Sequence, residues 1–184
     1  DAPFYKHVPK LPDQNLEWRR ALLSRAMGDK GLQRDLLLAC RMDLLFWLGS
    51  FAWLYEPRTA TKIIPFNTYP FQDVALSRLQ RILGKENAVI EKSRDLGGTW
   101  LVLMLFLWAW LFQENVDFGV VSHDMDACDK TGSKGTLFWK LRAALGKEKG
   151  TVGFPSWMTP AFKLNLGTLV NENNGSSILG FAAT

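Results

Sequence analysis

Glu91-Lys92-Ser93-Arg94-Asp95-Leu96-Gly97-Gly98-Thr99-Trp100 decides how this chain is read. Asn87-Ala88-Val89-Ile90 before it has the composition of a short buried strand, and Leu101 to Phe112 after it reads as an apolar helix. A polar, glycine-containing turn between strand and helix is the setting of a phosphate-binding loop, because backbone N–H groups at a helix start face an anion. Against the pattern G-x-x-x-x-G-K-S/T, Gly97 and Thr99 stand at the second glycine and the magnesium-binding hydroxyl. Lys92 stands where the first glycine belongs, and Gly98 where the lysine belongs. Charge on the β- and γ-phosphate oxygens must still be neutralised during transfer, and Lys92 or Arg94 can do this from the front of the loop. The other reading is an ordinary strand–helix turn with a solvated Lys/Arg pair.

The 184 residues, 47% of them apolar, suffice for one domain with a real core. Eight tryptophans and twelve phenylalanines predict an aromatic interior. The net charge of +4 permits a nucleic-acid partner without requiring one. Cys40 and Cys128 stand far apart in no metal-like spacing, which fits a reducing compartment and no disulfide framework. His7 and His123 are too few for a histidine-based metal site. Leu96 to Phe112 carries no charge over seventeen residues, the lower limit for a membrane span. Its flanks lack an aromatic belt at both ends, so a helix buried on several sides is the expectation and no membrane is involved.

Residues 1 to 13 hold three prolines and read as an extended arm, with no signal-peptide pattern. Leu16 to Met27 and then Leu32 to about Tyr55 have helical apolar spacing, broken by Gly28-Asp29-Lys30-Gly31 and ended by Glu56-Pro57-Arg58. Residues 1–60 are therefore expected to be an arm and helical cap, and 61–184 the core that carries the loop. Lys62 to Phe66 is too proline-broken for a central strand. Tyr69-Pro70-Phe71-Gln72-Asp73 opens a helix running to about Leu83. A glutamine amide donates and accepts at once, matching the N6/N7 edge of adenine, so Gln72 is either an adenine reader or simply a helix-start residue.

Val116 to Ser122 reads as a second buried strand and Lys134 to Leu145 as helical. Asp124, Asp126 and Asp129 between them are explained by caps and turns better than by a metal. Six Lys/Arg from Lys130 to Lys149 face one acid, Glu148, either as a phosphate-facing strip or as a solvated helix face. Lys163 to Leu166 and Ser176 to Ala183 read as strands, with Asn171-Glu172-Asn173-Asn174-Gly175 as a hairpin turn. The order predicts an α/β fold with a largely parallel sheet.

With these pieces in place the chain resembles the N-terminal ATPase part of a tailed-bacteriophage terminase large subunit, a DNA-packaging motor. Four stretches carry the resemblance: Pro70-Phe71-Gln72, similar to an adenine-reading Q motif; Lys92 to Thr99, similar to the family's deviant Walker A with its basic residue at the front; Val120 to Asp124; and Asn174 to Thr184, similar to the hairpin before the Walker B strand. The likeness spans about residues 35–184 and rests on motif order and spacing. It implies a P-loop NTPase fold of the ASCE/RecA-like kind, with a parallel sheet flanked by helices. It further implies ATP and Mg2+ as cofactors: Phe71 and Gln72 at adenine, the Lys92-Ser93-Arg94-Asp95-Leu96-Gly97-Gly98-Thr99 loop at the phosphates, Lys92 or Arg94 as catalytic cation, and Thr99 on magnesium. The implied partners are double-stranded DNA, a portal protein, a small terminase subunit and further copies in a ring on the portal, in the host cytoplasm.

Two departures bear on this. His123 stands where the family commonly has a basic residue, and no apolar run ending Asp-Glu occurs in 1–184. The expectation is a fragment that stops before the Walker B strand, binds ATP weakly and does not turn it over. A helicase-type P-loop ATPase and a degenerate, non-catalytic P-loop adaptor are the alternatives.

Overall fold

The computed structural model describes residues 3–93 and 96–183. It divides into two compact units, 1–98 and 99–184. Fifteen Lys/Arg against eleven Asp/Glu fall in the first unit and seven against seven in the second, so the net positive charge lies entirely in the first.

The first unit is built around α3, Leu44–Phe51, all eight residues of which are buried. Around it pack a 3-10 turn (Phe4–His7), α1 (Pro12–Ala26), α2 (Lys30–Met42), α4 (Pro70–Ile82) and the second strand of a small ribbon, β1 (Trp53–Tyr55) with β2 (Ile63–Pro65) antiparallel. The single helix expected over 32–55 is instead broken at Asp43. The carboxylate of Asp43 accepts from Phe46 N at 2.9 Å, capping α3, and from Tyr5 N at 2.9 Å. One aspartate with two backbone donors outweighs the helical apolar spacing on either side of it.

The proline-bearing arm is likewise docked rather than extended. Val8 is buried, and a Cβ on Gly49 of α3 would sit 3.1 Å from its Cγ1. Asn15 donates to Pro9 O and Gly49 O, and Arg19 donates to Asn15 Oδ1, Gly49 O and Leu48 O. Arg19 thus satisfies carbonyls at the carboxyl end of α3, where a cation suits the helix dipole. It lies 4.8 Å from the Trp53 ring centroid, and burial lowers its pKa to about 9.

The second unit is a four-stranded sheet with helices: α5 (Gly98–Phe112), β3 (Asp117–Ser122), α6 (Met125–Cys128), α7 (Leu137–Ala144), β4 (Phe162–Asn165), β5 (Thr168–Asn171) and β6 (Ser177–Ala182). The strand order is β3-β6-β5-β4. Only β3 and β6 run parallel, Asp117 opposite Ser177 through Ser122 opposite Ala182, while β5 pairs antiparallel with both neighbours. The α/β class stands, but the sheet is mixed rather than largely parallel. The reason is a strand the sequence hid: Leu166-Gly167, with Gly167 at φ +62°, turns the chain after β4 and lets β5 form before the Asn171–Gly175 turn.

The aromatic interior materialises around α5. Phe106 stacks on Phe118 of β3 at 4.4 Å, and Trp110 meets Phe162 of β4 edge-on at 5.9 Å. No helix among the described residues is long and apolar enough to cross a membrane.

Candidate nucleotide site

The segment before the loop departs from expectation. Residues 87–90 form no strand and are exposed, Val89 at 98% and Ile90 at 49%. Apolar composition makes a strand only where a neighbouring strand supplies backbone partners. β3 pairs only with β6 among the described residues.

The loop itself is tied down by α4. Gln72, 8% exposed, sits in the first turn of α4, and its Oε1 accepts the Tyr69 N–H at 2.9 Å. Its Nε2 donates to Leu96 O at 3.1 Å. One side-chain amide therefore closes the start of α4 and grips the loop at its carboxyl end. Gly97 follows with φ +71°, a conformation glycine adopts without a Cβ penalty. α5 then starts at Gly98, with no acidic residue in its first turn. Its leading N–H groups and dipole therefore present a partial positive charge.

Lys92 comes to this helix start. A Cβ on Gly98 would lie 2.6 Å from Lys92 Cδ and 2.8 Å from Cε, so the lysine stem fills the space a side chain at 98 would need. Its ammonium donates to Ser93 O at 3.2 Å and has no carboxylate partner among the described residues. Lys92, Ser93, Leu96 and Thr99 are exposed. Thr99, the next residue of α5, opens the second unit in the chain. Arg94 and Asp95 lie outside the described residues.

The sequence reading missed two features here. Tyr69 and Phe71 stack face to face, centroids 5.8 Å apart and planes within 4°, and both are more than half exposed. Two aromatics flanking Pro70 at the first position of α4 were the available signal. Lys10 donates to Thr68 Oγ1 at 2.7 Å and pairs with Asp73 at 3.0 Å, while the Thr68 hydroxyl donates to the Asp73 carboxylate. The arm is thereby pinned to the start of α4.

The acidic and basic clusters of the second unit resolve into local structure. Asp124 caps α6 through Ala127 N, and Asp126 pairs with Lys130 at 2.6 Å. Asp129, its side chain wholly buried, accepts from Arg142 Nη1 at 2.6 Å and Gly167 N at 2.8 Å. Arg142 also meets Glu148 at 2.7 Å, and Lys140 donates to Gly135 O at 2.7 Å. No group of three or more His, Cys, Asp or Glu able to hold a metal occurs among the described residues. The basic run is thus largely spent on neighbours rather than presented as one strip.

No protein-family model matches this sequence, and no curated protein matches it significantly.

Proposed function

We propose that this chain is the ATP-binding part of a P-loop motor ATPase of the terminase large-subunit type, which uses ATP hydrolysis to drive double-stranded DNA into a viral procapsid. The observation that supports it is the approach of Lys92 to Gly98. A cation from the front of the loop reaches the helix start that the pattern's own lysine would have served, and the displaced position holds the one residue that makes room for it. Residues and ligand fit: a helix with no acid in its first turn, glycines at 97 and 98 for close backbone approach, and a cation without a carboxylate partner among the described residues suit a polyphosphate.

In this reading the Lys92 ammonium and the backbone N–H groups of Gly97 and Gly98 hold the β- and γ-phosphates, and by the resemblance Thr99 is the magnesium ligand. The exposed Tyr69–Phe71 pair offers an aromatic face to the base. Bound magnesium–ATP supplies the phosphoryl group, and this chain's residues position and neutralise it. By the same resemblance the partners are double-stranded DNA, a portal protein, a small terminase subunit and further copies in a ring, in the host cytoplasm.

A non-catalytic adaptor is the second reading, favoured by one observation: residues 87–90, expected as the strand before the loop, form no strand. Equilibrium titration with a fluorescent ATP analogue and magnesium separates the two. Saturable binding weakened about tenfold by Lys92→Ala, the worth of one charge-assisted hydrogen bond, is the expected result. Absence of saturable binding would leave the adaptor.

A further inference from the structure

We infer that Gln72 is a positioning residue for the phosphate loop, and that it does not read the base. This rests on the proposed nucleotide site for its consequence, but on geometry alone for its premise. To read adenine, an amide must present its donor and its acceptor together to one base edge. Here Oε1 is committed to Tyr69 N and Nε2 to Leu96 O, on a side chain 8% exposed. What remains is one N–H and one lone pair on a side chain that the fold already holds at both ends.

The same two bonds give the residue a different task. Tyr69 N belongs to the start of α4, which the Lys10–Thr68–Asp73 cluster also fixes. Leu96 O immediately precedes Gly97, whose φ of +71° turns the chain into α5. A Cβ on Gly97 would lie 3.7 Å from Gln72 Nε2, so the amide lies against the turn itself. Gln72 therefore holds the point where loop becomes helix, and with it the N–H groups offered to phosphate. Phosphate is common to all nucleoside triphosphates, so the loss on changing Gln72 falls on each of them alike. Base preference, where present, comes from the exposed Tyr69–Phe71 face.

Gln72→Glu isolates the effect. It keeps an oxygen for Tyr69 N and so keeps the helix cap, but replaces the donor facing Leu96 O with an acceptor. In the nucleotide-free chain, 15N relaxation should show Leu96 and Gly97 falling from rigid-backbone order parameters of about 0.85 to about 0.6, with residues 73–76 of α4 unchanged. Affinities for magnesium–ATP and magnesium–GTP should then fall by the same factor, about fivefold for one lost hydrogen bond, leaving their ratio intact. An unchanged loop, or a loss confined to ATP, overturns the inference and restores base reading. If the wild-type chain binds neither nucleotide, the proposed function fails while the relaxation arm still decides whether Gln72 holds the loop. Should Gln72→Glu not fold, Gln72→Met, which removes both bonds at similar volume, carries the same relaxation test.

Discussion

Lys92 and Gly98 compete for one volume: Cδ of the lysine lies 2.6 Å from the place where a Cβ on residue 98 would stand. Even a methyl group there must push the lysine stem off the helix start. Gly98→Ala should therefore cost nucleotide affinity, three- to tenfold on the scale of a weakened charge-assisted contact, although alanine is the better helix former. Thermal melts with and without magnesium–ATP would separate the effects. A rise in the ligand-free melting temperature with a smaller ATP shift is expected; an undiminished ATP shift counts against the packing described.

Asn174 closes the other end of the same helix. Its amide donates to Gln113 O at 2.7 Å and Trp110 O at 3.0 Å. Asn171 and Ser176 add bonds to Trp110 O and Gln113 O at 2.9 Å each. An apolar helix buried at its carboxyl end needs such partners for its last carbonyls. Asn174→Ala should destabilise the chain by about 2 kcal/mol, read as a lower urea midpoint. A midpoint shift too small to resolve would mean that water replaces the amide.

Asp129, its side chain wholly buried, joins Arg142 of α7 to the turn before β5 through Gly167 N. Removing it leaves the Gly167 N–H without its acceptor and the Arg142 guanidinium with Glu148 alone. Asp129→Ala is expected to cost about 3 kcal/mol in chemical unfolding. A loss below about 1 kcal/mol, the range of a surface pair, would show the site to be wet.

Glu56 gives a pH signature. Side-chain and then backbone hydrogen bonds from Arg58 lower its pKa from 4.5 to about 2. The folded state then binds fewer protons than the unfolded state between those values. The contribution is full above the ordinary carboxylate pKa and is lost as pH falls through about 2. Solvent exposure keeps its size small. Carbon-13 NMR of the carboxyl group should show the low midpoint, rising toward the ordinary range in Arg58→Ala, which keeps only the backbone N–H bond; an ordinary midpoint in wild type contradicts the pairing.

What the sequence made legible follows from where the deciding interactions lie. α4 and α7 have apolar spacing and local caps, so their limits were readable. The break at Asp43 was not, because half of its reason is Tyr5 N, thirty-eight positions away. β5 escaped because the turn before it is only Leu166-Gly167, beside the stronger turn signal at Asn171 to Gly175. Residues 87–90 erred the other way: strand composition without a strand neighbour yields exposed chain. At the candidate site the types and spacing of Lys92, Gly97, Gly98 and Thr99 were readable as a displaced pattern. The packing of Lys92 on Gly98, and the spending of both ends of the Gln72 amide within the fold, depend on how the loop closes, which composition does not encode.

The proposed function requires Lys92 to do at the front of the loop what the pattern assigns to residue 98. Exchanging the two, Lys92→Gly together with Gly98→Lys, rebuilds G-x-x-x-x-G-K-T at 92–99 and empties the volume the new lysine needs. Equilibrium titration of magnesium–ATP onto wild type, Lys92→Ala and the double exchange is the direct measurement. Binding by wild type, its loss in Lys92→Ala and its return in the exchange is the predicted pattern. Equal binding by wild type and Lys92→Ala, or none by any of the three, would contradict it.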